Sequence, residues 1–560
     1  MIRGDLAKAV QSALERAVAE GALPECDSPP VSIERPKNPD HGDYSSNVAM
    51  LLARSAGKPP LEVARAIASR LSHPGIASAE VAPPGFLNLK LDPDWVAGHL
   101  CRVLEMDERF GESDIGRGKR ALVEYVSANP NGPLTLGHGR NGVIGDVLAR
   151  CLRKAGWEVE TEFYLNDSSA SLQMQLFGES VRARYLQLLG HDVPLPDDGY
   201  KGEYLVDLAK AIREKHGDGL GQGDHAQDNL LFKRLAEQEM REDQAKDIEA
   251  FRLHFDRFVS EQKLHEDGLV EAAIAQLREH GHAYDSEGAV WFRSTAFGDD
   301  KDRPLVRSTG EPTYIAADAA YHKNKYDRGY DLMIDVWGAD HHGYVPRMKA
   351  VVEAMGYDPG KLQLLIYQLV RLWRGKEQVR MSTRAGEMIT LREVLDEVGV
   401  DVARFFFLMR SHDTALDFDL ELAKKRSDEN PVYYVQYAHA RICSILRKAE
   451  EEGLQAGQCT PGLLSDPAEV ALELKLLELP DEVERVVVET APHRLTTYGQ
   501  ELARLFHLFY DRCRVVDPSR PELSRARLTL CQAVRVTLRN TLDLMGVSAP
   551  ERMEKEHDEA

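Results

Sequence analysis

Apolar residues recur at helical spacing over Leu6–Glu20 and Pro60–Leu71 and alternate with polar ones in VSIER and FLNLKL, so the chain opens with a predicted small α+β module. A polar, glycine-bearing stretch, GESDIGRGKR, closes it, and the boundary is set at residues 1–115. ALVEYVSA then reads as a strand and LTLGHG as a glycine-rich turn. A helix follows with Val143, Ile144, Val147, Leu148, Cys151 and Leu152 on one face, and WEVETEFYL as the next strand. Strand, turn, helix, strand is the βαβ order, which predicts a parallel sheet with its chemistry at the carboxyl edge. Residues 192–282 are polar, charged and helical in period, and are predicted to be an insertion between two halves of that sheet, which resumes in AVWFRS, DLMIDVWG and LQLLIYQLV. From Leu391 onward helix follows helix, as in VYYVQYAHARICSILRKA, PHRLTTYGQELARLFHLFYDRC and LTLCQAVRVTLRNTLDLM. The expected architecture is α/β, with a parallel-sheet domain over 116–390 and an all-α helical bundle over 391–560.

Composition narrows the classes. A chain of 560 residues exceeds what one core organises. With 43% hydrophobic and 29% charged residues, and no apolar run near membrane-spanning length, it reads as a globular protein and not an integral membrane one. The first helix carries Asp5, Glu15 and Glu20, unlike a targeting signal, and reads as mature protein. Cysteines at 26, 101, 151, 443, 459, 513 and 531 form no CxxC pair, which argues for a reducing compartment and against a disulfide frame or thiolate zinc site. The net charge of −21 alone disfavours a polyanionic partner. The acids, however, crowd into EDQAKDIEAF, LPDEVERVVVE and the tail EKEHDEA. Arg525, Arg527, Arg535 and Arg539 punctuate a C-terminal stretch almost free of acids, which leaves room for a basic face.

Two segments far apart carry the candidate chemistry. In NPNGPLTLGHGRN, Gly137 and Gly139 are read as letting the backbone approach a ligand. His138 at the mouth of a new helix donates to an anionic oxygen that the helix N-terminus already favours, which suits phosphate. The bland alternative is a strand-to-helix turn with a surface histidine. In RMSTRAG, Arg380, Ser382 and Arg384 read either as an exposed basic loop or as cations and a hydroxyl brought over a triphosphate. Asp340-His341-His342 places three ligand types together, but neighbours on a strand point to opposite faces, so no metal site is predicted.

The pair resembles the HIGH and KMSKS signatures of class I aminoacyl-tRNA synthetases, and the whole chain resembles their arginyl-tRNA synthetase family. The likeness runs in family order through IERPKNPDHGDYSSNVA, VEYVSANPNGPL, YKGEYL, GEPTYIAADAAYH, WGADHHGYVPRMKA, VDVARFFFLMRS, NPVYYVQYAHARI and MGVSAPERM. It implies a Rossmann-like catalytic domain, an N-terminal module that contacts the tRNA body and a helical domain that binds the anticodon. It implies L-arginine and ATP as substrates, Mg²⁺ arriving with ATP and no structural metal, the tRNA for arginine as partner, and a monomer in the cytoplasm away from membranes. Thr135, Gly137, His138, Asp340, His341, Met381 and Ser382 would face ATP, with Arg380 and Arg384 adding charge. Glu124, Asn129, Tyr314 and Asp318 would line the arginine pocket, the last two one helical turn apart on a shared face. A carboxylate there would meet the planar guanidinium in bidentate fashion. Tyr433, Tyr434, Tyr437, Arg441, Arg535 and Arg539 mix aromatic faces with cations, as single-stranded RNA recognition requires.

The resemblance implies two steps: the arginine carboxylate attacks the α-phosphate of ATP and releases pyrophosphate, then the terminal ribose hydroxyl of tRNA attacks the arginyl-adenylate. Three positions depart from the family pattern. Thr135 stands where a histidine is commoner, and Thr383 where a lysine is commoner. Family members without that lysine carry one just before the first motif, where this chain has Gly132. The tail Glu554–Ala560 extends beyond the usual end near Met553. The alternative reading is a catalytically weak paralogue that binds tRNA or senses arginine.

Overall fold

Five parallel strands build the centre of the molecule, here a computed structural model that describes residues 2–36, 38–168, 171–221, 223–379, 389–457 and 462–553. They are β1 (Arg120–Glu124), β2 (Glu158–Leu165), β3 (Arg257–Ser260), β4 (Leu332–Gly338) and β5 (Leu362–Tyr367). All pairings are parallel, in the order β5-β4-β1-β2-β3. Parallel strands covered by helices need continuous apolar runs, and the buried Ala121, Leu122 and Val123 and the Met333, Ile334 and Val336 set supply them. The helix Leu136–Lys154 connects β1 to β2 and packs against β1, β2 and β4.

β3 lies inside the stretch expected to be an insertion, and so corrects that reading. Its four residues, two of them exposed, carry no apolar signature. The rest of the stretch is helical. Its helices Tyr204–His216 and His225–Ala250, with Leu172–Leu188 from just before the stretch, enclose a core of Phe177, Tyr185, Leu205, Ile212 and Phe232. Ala289–Phe292 does not rejoin the parallel sheet. It is the central strand of a small antiparallel sheet with Ala283–Ser286 and Arg303–Val306.

In the N-terminal module, Ile2–Ala19 and Pro60–Ala68 are helices as their spacing predicts, and Phe86–Leu91 is central in a three-stranded antiparallel sheet with Tyr44–Ser46 and Ile76–Ala82. VSIER contributes only a bridge from Glu34 to Ser45. The C-terminal region is helical over Pro431–Glu451, Pro467–Leu476, Leu479–Glu489, Arg494–Arg512 and Pro521–Leu544. One strand interrupts the expected all-helical run: Leu416–Asp419 pairs in parallel with Val370–Arg374. It is too short to reveal its period in sequence.

One buried cluster runs from the N-terminal module through the sheet into the helical bundle. No helix among the described residues is long and apolar enough to cross a membrane. Cys101 is disulfide-bonded, which corrects the expectation of thiols alone, whereas Cys26, Cys151, Cys443, Cys513 and Cys531 are free.

Candidate active site

β1 ends at Glu124, and the chain crosses the carboxyl edge of the sheet before entering the helix Leu136–Lys154. Thr135 is that helix's N-cap. Its hydroxyl accepts from the His138 backbone N–H at 3.3 Å, and His138 Nδ1 accepts from the Thr135 N–H at 3.1 Å, closing a capping box. The threonine in place of histidine is therefore a helix cap, a role imidazole fills poorly. Because Nδ1 accepts, the neutral ring carries its proton on Nε2. Burial holds this imidazole down to about 4, so it is uncharged near neutral pH and offers a single N–H donor beside the helix N-terminus.

The two glycines separate in role. A Cβ on Gly137 would lie 3.4 Å from the Tyr367 hydroxyl, in ordinary contact at the open end of the helix. A Cβ on Gly139 would stand 2.7 Å from Leu391 Cδ1 and 3.1 Å from Phe407 Cε2. Gly139 thus serves interior packing, which corrects the ligand-approach reading for that residue.

The turn before the helix is held from the insertion. Gln244 Nε2 donates to the carbonyls of Asn129 at 3.0 Å and Gly132 at 2.8 Å, Tyr204 donates to the Asn131 carbonyl at 2.9 Å, and Asn131 Nδ2 donates to the Tyr200 hydroxyl at 2.9 Å. Asn141 joins the ends of β1 and β4, accepting from Val126 N–H at 2.6 Å and donating to the Val336 carbonyl at 2.7 Å. Arg380, Met381, Ser382, Thr383 and Arg384 lie outside the described residues. Their C-terminal flank is anchored to the first motif: Thr390 bridges to Thr135, and Leu391 N–H donates to the Leu134 carbonyl at 2.7 Å.

Two carboxyls, Asp318 and Glu261, interact along the same edge. Asp318 sits one turn into the helix Tyr314–Asp327, its Oδ2 accepting from the Tyr344 hydroxyl at 2.7 Å, and burial pushes its carboxyl up. Tyr314, one turn earlier, is 65% exposed. Glu261 is the acid that the sequence reading missed. It follows β3 at the start of the helix Glu261–Glu266 and is buried. Burial raises it to about 7, against the pull of the Tyr164 hydroxyl and with help from the charges of Asp318 and Asp167. The sequence signal was the Ser260 cap directly before it, whose hydroxyl accepts from Lys263 N–H at 3.1 Å.

Glu124 is buried. It accepts from Ser127 Oγ at 2.8 Å, the Tyr321 hydroxyl at 3.0 Å and Lys325 Nζ at 2.5 Å. Asn129, in the turn that follows, is half-buried.

Asp340 and His341 are exposed and 3.6 Å apart, and His341 packs at 5.8 Å from Trp337. The segment Ala339–Tyr344 is a 3₁₀ helix, so the strand-alternation argument applied to it is corrected.

On the helical bundle, Tyr433 and Tyr437 stack at 6.1 Å, Tyr437 stacks on His507 at 6.2 Å, and the Arg441 guanidinium lies 4.3 Å over Tyr510. Tyr434 meets His507 at 5.0 Å. Arg535, half-buried, is on the helix Pro521–Leu544. Arg539, on the same helix, is turned to the N-terminal module, where it pairs with Asp107 at 2.7 Å.

The chain matches known families along its length. Residues 4–91 match the family described as Arginyl tRNA synthetase N terminal domain, 213–417 match tRNA synthetases class I (R), catalytic domain, and 435–553 match the DALR anticodon binding domain. The arginine–tRNA ligase of Heliobacterium modesticaldum is 48% identical over 560 residues, covering 99% of each chain. An arginyl-tRNA synthetase structure from Campylobacter jejuni superposes with a TM-score of 0.76 at 34% identity, over 83% of this chain and all of the other. One from Thermus thermophilus, at 24% identity, gives 0.75 over 99% of this chain and 100% of the other, which speaks for the fold.

Proposed function

The chain belongs to the arginyl-tRNA synthetase family and joins arginine to tRNA in an ATP-dependent ligation, and from that premise we propose which residues carry each step. ATP lies along the first motif, with its α-phosphate near His138. As the arginine carboxylate attacks in line and pyrophosphate departs, charge grows on the phosphoryl oxygens. His138 Nε2–H and the N-terminus of the helix Leu136–Lys154 meet that charge without a proton transfer. Gly137 keeps the approach open, and Asp340 and His341 flank the nucleotide. Arg380, Met381, Ser382 and Arg384 are assigned to the ATP phosphates by their place in the second motif. Mg²⁺ accompanies ATP, where it neutralises phosphate charge. Among the described residues no group of three or more acids, histidines or cysteines converges to hold a resident ion.

Arginine lies across the sheet edge. Asp318 and Glu261 take the guanidinium, one carboxylate in bidentate contact and the second adding charge that excludes neutral side chains. Tyr314 covers the pocket mouth, and Glu124 and Asn129 receive the α-ammonium. The terminal ribose of tRNA then attacks the adenylate carbonyl and AMP leaves. Tyr433, Tyr437, Arg441 and Arg535 meet the anticodon, while Arg539 anchors the bundle to the N-terminal module. We place the reaction in the cytoplasm, where its three substrates meet, and assign a monomer, because the residues proposed for each step come from one chain.

The observation that carries the reading is the placement, at one sheet edge, of His138 on a helix N-terminus and of the carboxylates of Asp318 and Glu261. Arginine-dependent ATP–pyrophosphate exchange, measured with and without tRNA, tests it. Exchange that needs tRNA is expected, since the second motif carries Thr383 where a lysine is commoner. Asp318→Ala should lower kcat/KM for arginine by more than about a hundredfold. Unchanged arginine affinity in that variant overturns the pocket assignment.

A further inference from the structure

Lys325 lies two turns beyond Asp318 on the helix Tyr314–Asp327, and its side chain is 0% exposed. Substrate cannot reach it. Its Nζ donates to Glu124 Oε2 at 2.5 Å and to Asp335 Oδ1 at 2.7 Å, and lies 4.2 Å over the Tyr321 ring. Asp335 Oδ2 pairs with His322 Nε2 at 3.1 Å, and His322 Nδ1 with the Asp318 carbonyl at 2.8 Å. Lys325 is therefore the middle link of an unbroken chain. The chain runs from the backbone of Asp318, on the guanidinium side of the pocket, to Glu124 and Ser127 on the other side.

We propose that Lys325 is a positioning residue for arginine recognition, holding the Glu124 carboxylate charged and correctly oriented at the end of β1 without itself touching substrate. The inference rests on the assignment of Glu124 to the arginine ammonium made above.

The groups that face Glu124 come from every neighbouring element. The helix Tyr314–Asp327 supplies Lys325, Tyr321 and His322, β4 supplies Asp335, which His322 pairs with, and the turn after β1 supplies Ser127. β2 supplies Glu162, which shares the Tyr321 hydroxyl at 2.7 Å, and Tyr164, whose ring is 4.3 Å from that of Tyr321. Glu162 has its own cation in Arg328 at 2.6 Å, with Arg257 of β3 at 3.8 Å. That leaves Lys325 as the counter-charge shared by Glu124 and Asp335.

Without Lys325, two buried carboxylates would face each other, and a proton would bind one of them. Burial pushes Glu124 up and Lys325 opposes it, and Asp335, despite its burial, is held down by Lys325 and His322. With Lys325 gone Asp335 keeps its His322 contact at 3.1 Å, whereas Glu124 loses the cation it pairs with, so the proton goes to Glu124 and attraction for the ammonium is lost.

The test is arginine-dependent pyrophosphate exchange with full-length enzyme and tRNA, from about pH 6 to about pH 9. It compares wild type, Lys325→Met, Lys325→Met with Asp335→Asn, and Glu124→Gln. Lys325→Met is expected to raise the arginine KM about tenfold or more near neutral pH. The rise should shrink as pH increases and Glu124 ionises, with the ATP KM unchanged. The double variant, which restores the charge balance, is expected to recover most of the loss at all pH values. Glu124→Gln should raise the arginine KM independently of pH.

A uniform loss in Lys325→Met that ignores pH and affects both substrates, or no recovery in the double variant, overturns the inference while leaving the Glu124 assignment standing. An unchanged arginine KM in Glu124→Gln overturns that assignment and the inference with it. Should Lys325→Met not fold, the double variant carries the test: an arginine KM within a few-fold of wild type and flat with pH supports the inference, and a pH-dependent rise overturns it.

Discussion

Asp318 and Glu261 differ in how far the sequence betrays them. Asp318 stands one helical turn from Tyr314, a local spacing that any reader of TYIAAD recovers. Glu261 reaches the same pocket only because β3 docks on β2, with Leu165 opposite Ser260. Its environment carries a measurable consequence. The folded carboxyl, raised from 4.5 to about 7, lies above its unfolded value, so the unfolded chain releases this proton first and the ligand-free protein loses stability as pH rises through that window. A guanidinium placed against Glu261 favours the ionised form. Arginine binding near pH 6 to 7 is therefore expected to release up to about one proton, with release fading by about pH 8 and absent in Glu261→Gln. Calorimetry in buffers of different ionisation enthalpy reads this directly. Release that persists unchanged in the variant removes Glu261 from the pocket.

Among elements, the helix Leu136–Lys154 was legible in its apolar face and in its glycine-histidine entrance, yet the purpose of its glycines was not. Gly137 and Gly139 look equivalent in LTLGHG. One meets only the Tyr367 hydroxyl and the Thr135 cap within 3.5 Å of a would-be Cβ, whereas the other meets Leu391 and Phe407 from a region more than two hundred residues away. Gly139→Ala should cost about 1–3 kcal/mol through overpacking. Gly137→Ala should leave stability unchanged or higher by up to about 1 kcal/mol, since alanine favours helix, while slowing exchange by crowding the phosphate approach. Urea unfolding beside the exchange rate distinguishes the two, and equal destabilisation by both sinks the division of roles. Strands were less legible than helices. β3 and Leu416–Asp419 span four residues each, too few to display a period, and exist because a longer neighbour offers an edge.

At the scale of the molecule, one buried guanidinium fastens the catalytic sheet to the end of the helical bundle. Arg404 donates to the carbonyls of Phe251 and Met545, each at 2.9 Å, and pairs with Asp146 on the helix that begins with the first motif. Ser548 and Gln436 meet at Asp401 beside it, and His439 holds the Pro550 carbonyl at 2.9 Å. Arg404→Met should cost about 3–5 kcal/mol, because a buried carboxylate loses its partner. Arg150, 2.9 Å from Asp146, moderates the loss toward the lower figure. A denaturation midpoint that barely moves would show the contact to be incidental.

The chain by itself determined the order of its elements, the family signatures and the Tyr314–Asp318 pair, because each is written in residues within a turn or two of one another. Tertiary structure decided that Glu261 stands beside Asp318, that Lys325 stands between Glu124 and Asp335, that Gly139 yields to Leu391, and that Arg539 faces Asp107. In each case the partner lies elsewhere in the sequence, and the contact exists only once strand pairing and helix packing have brought buried charges and side-chain volumes together.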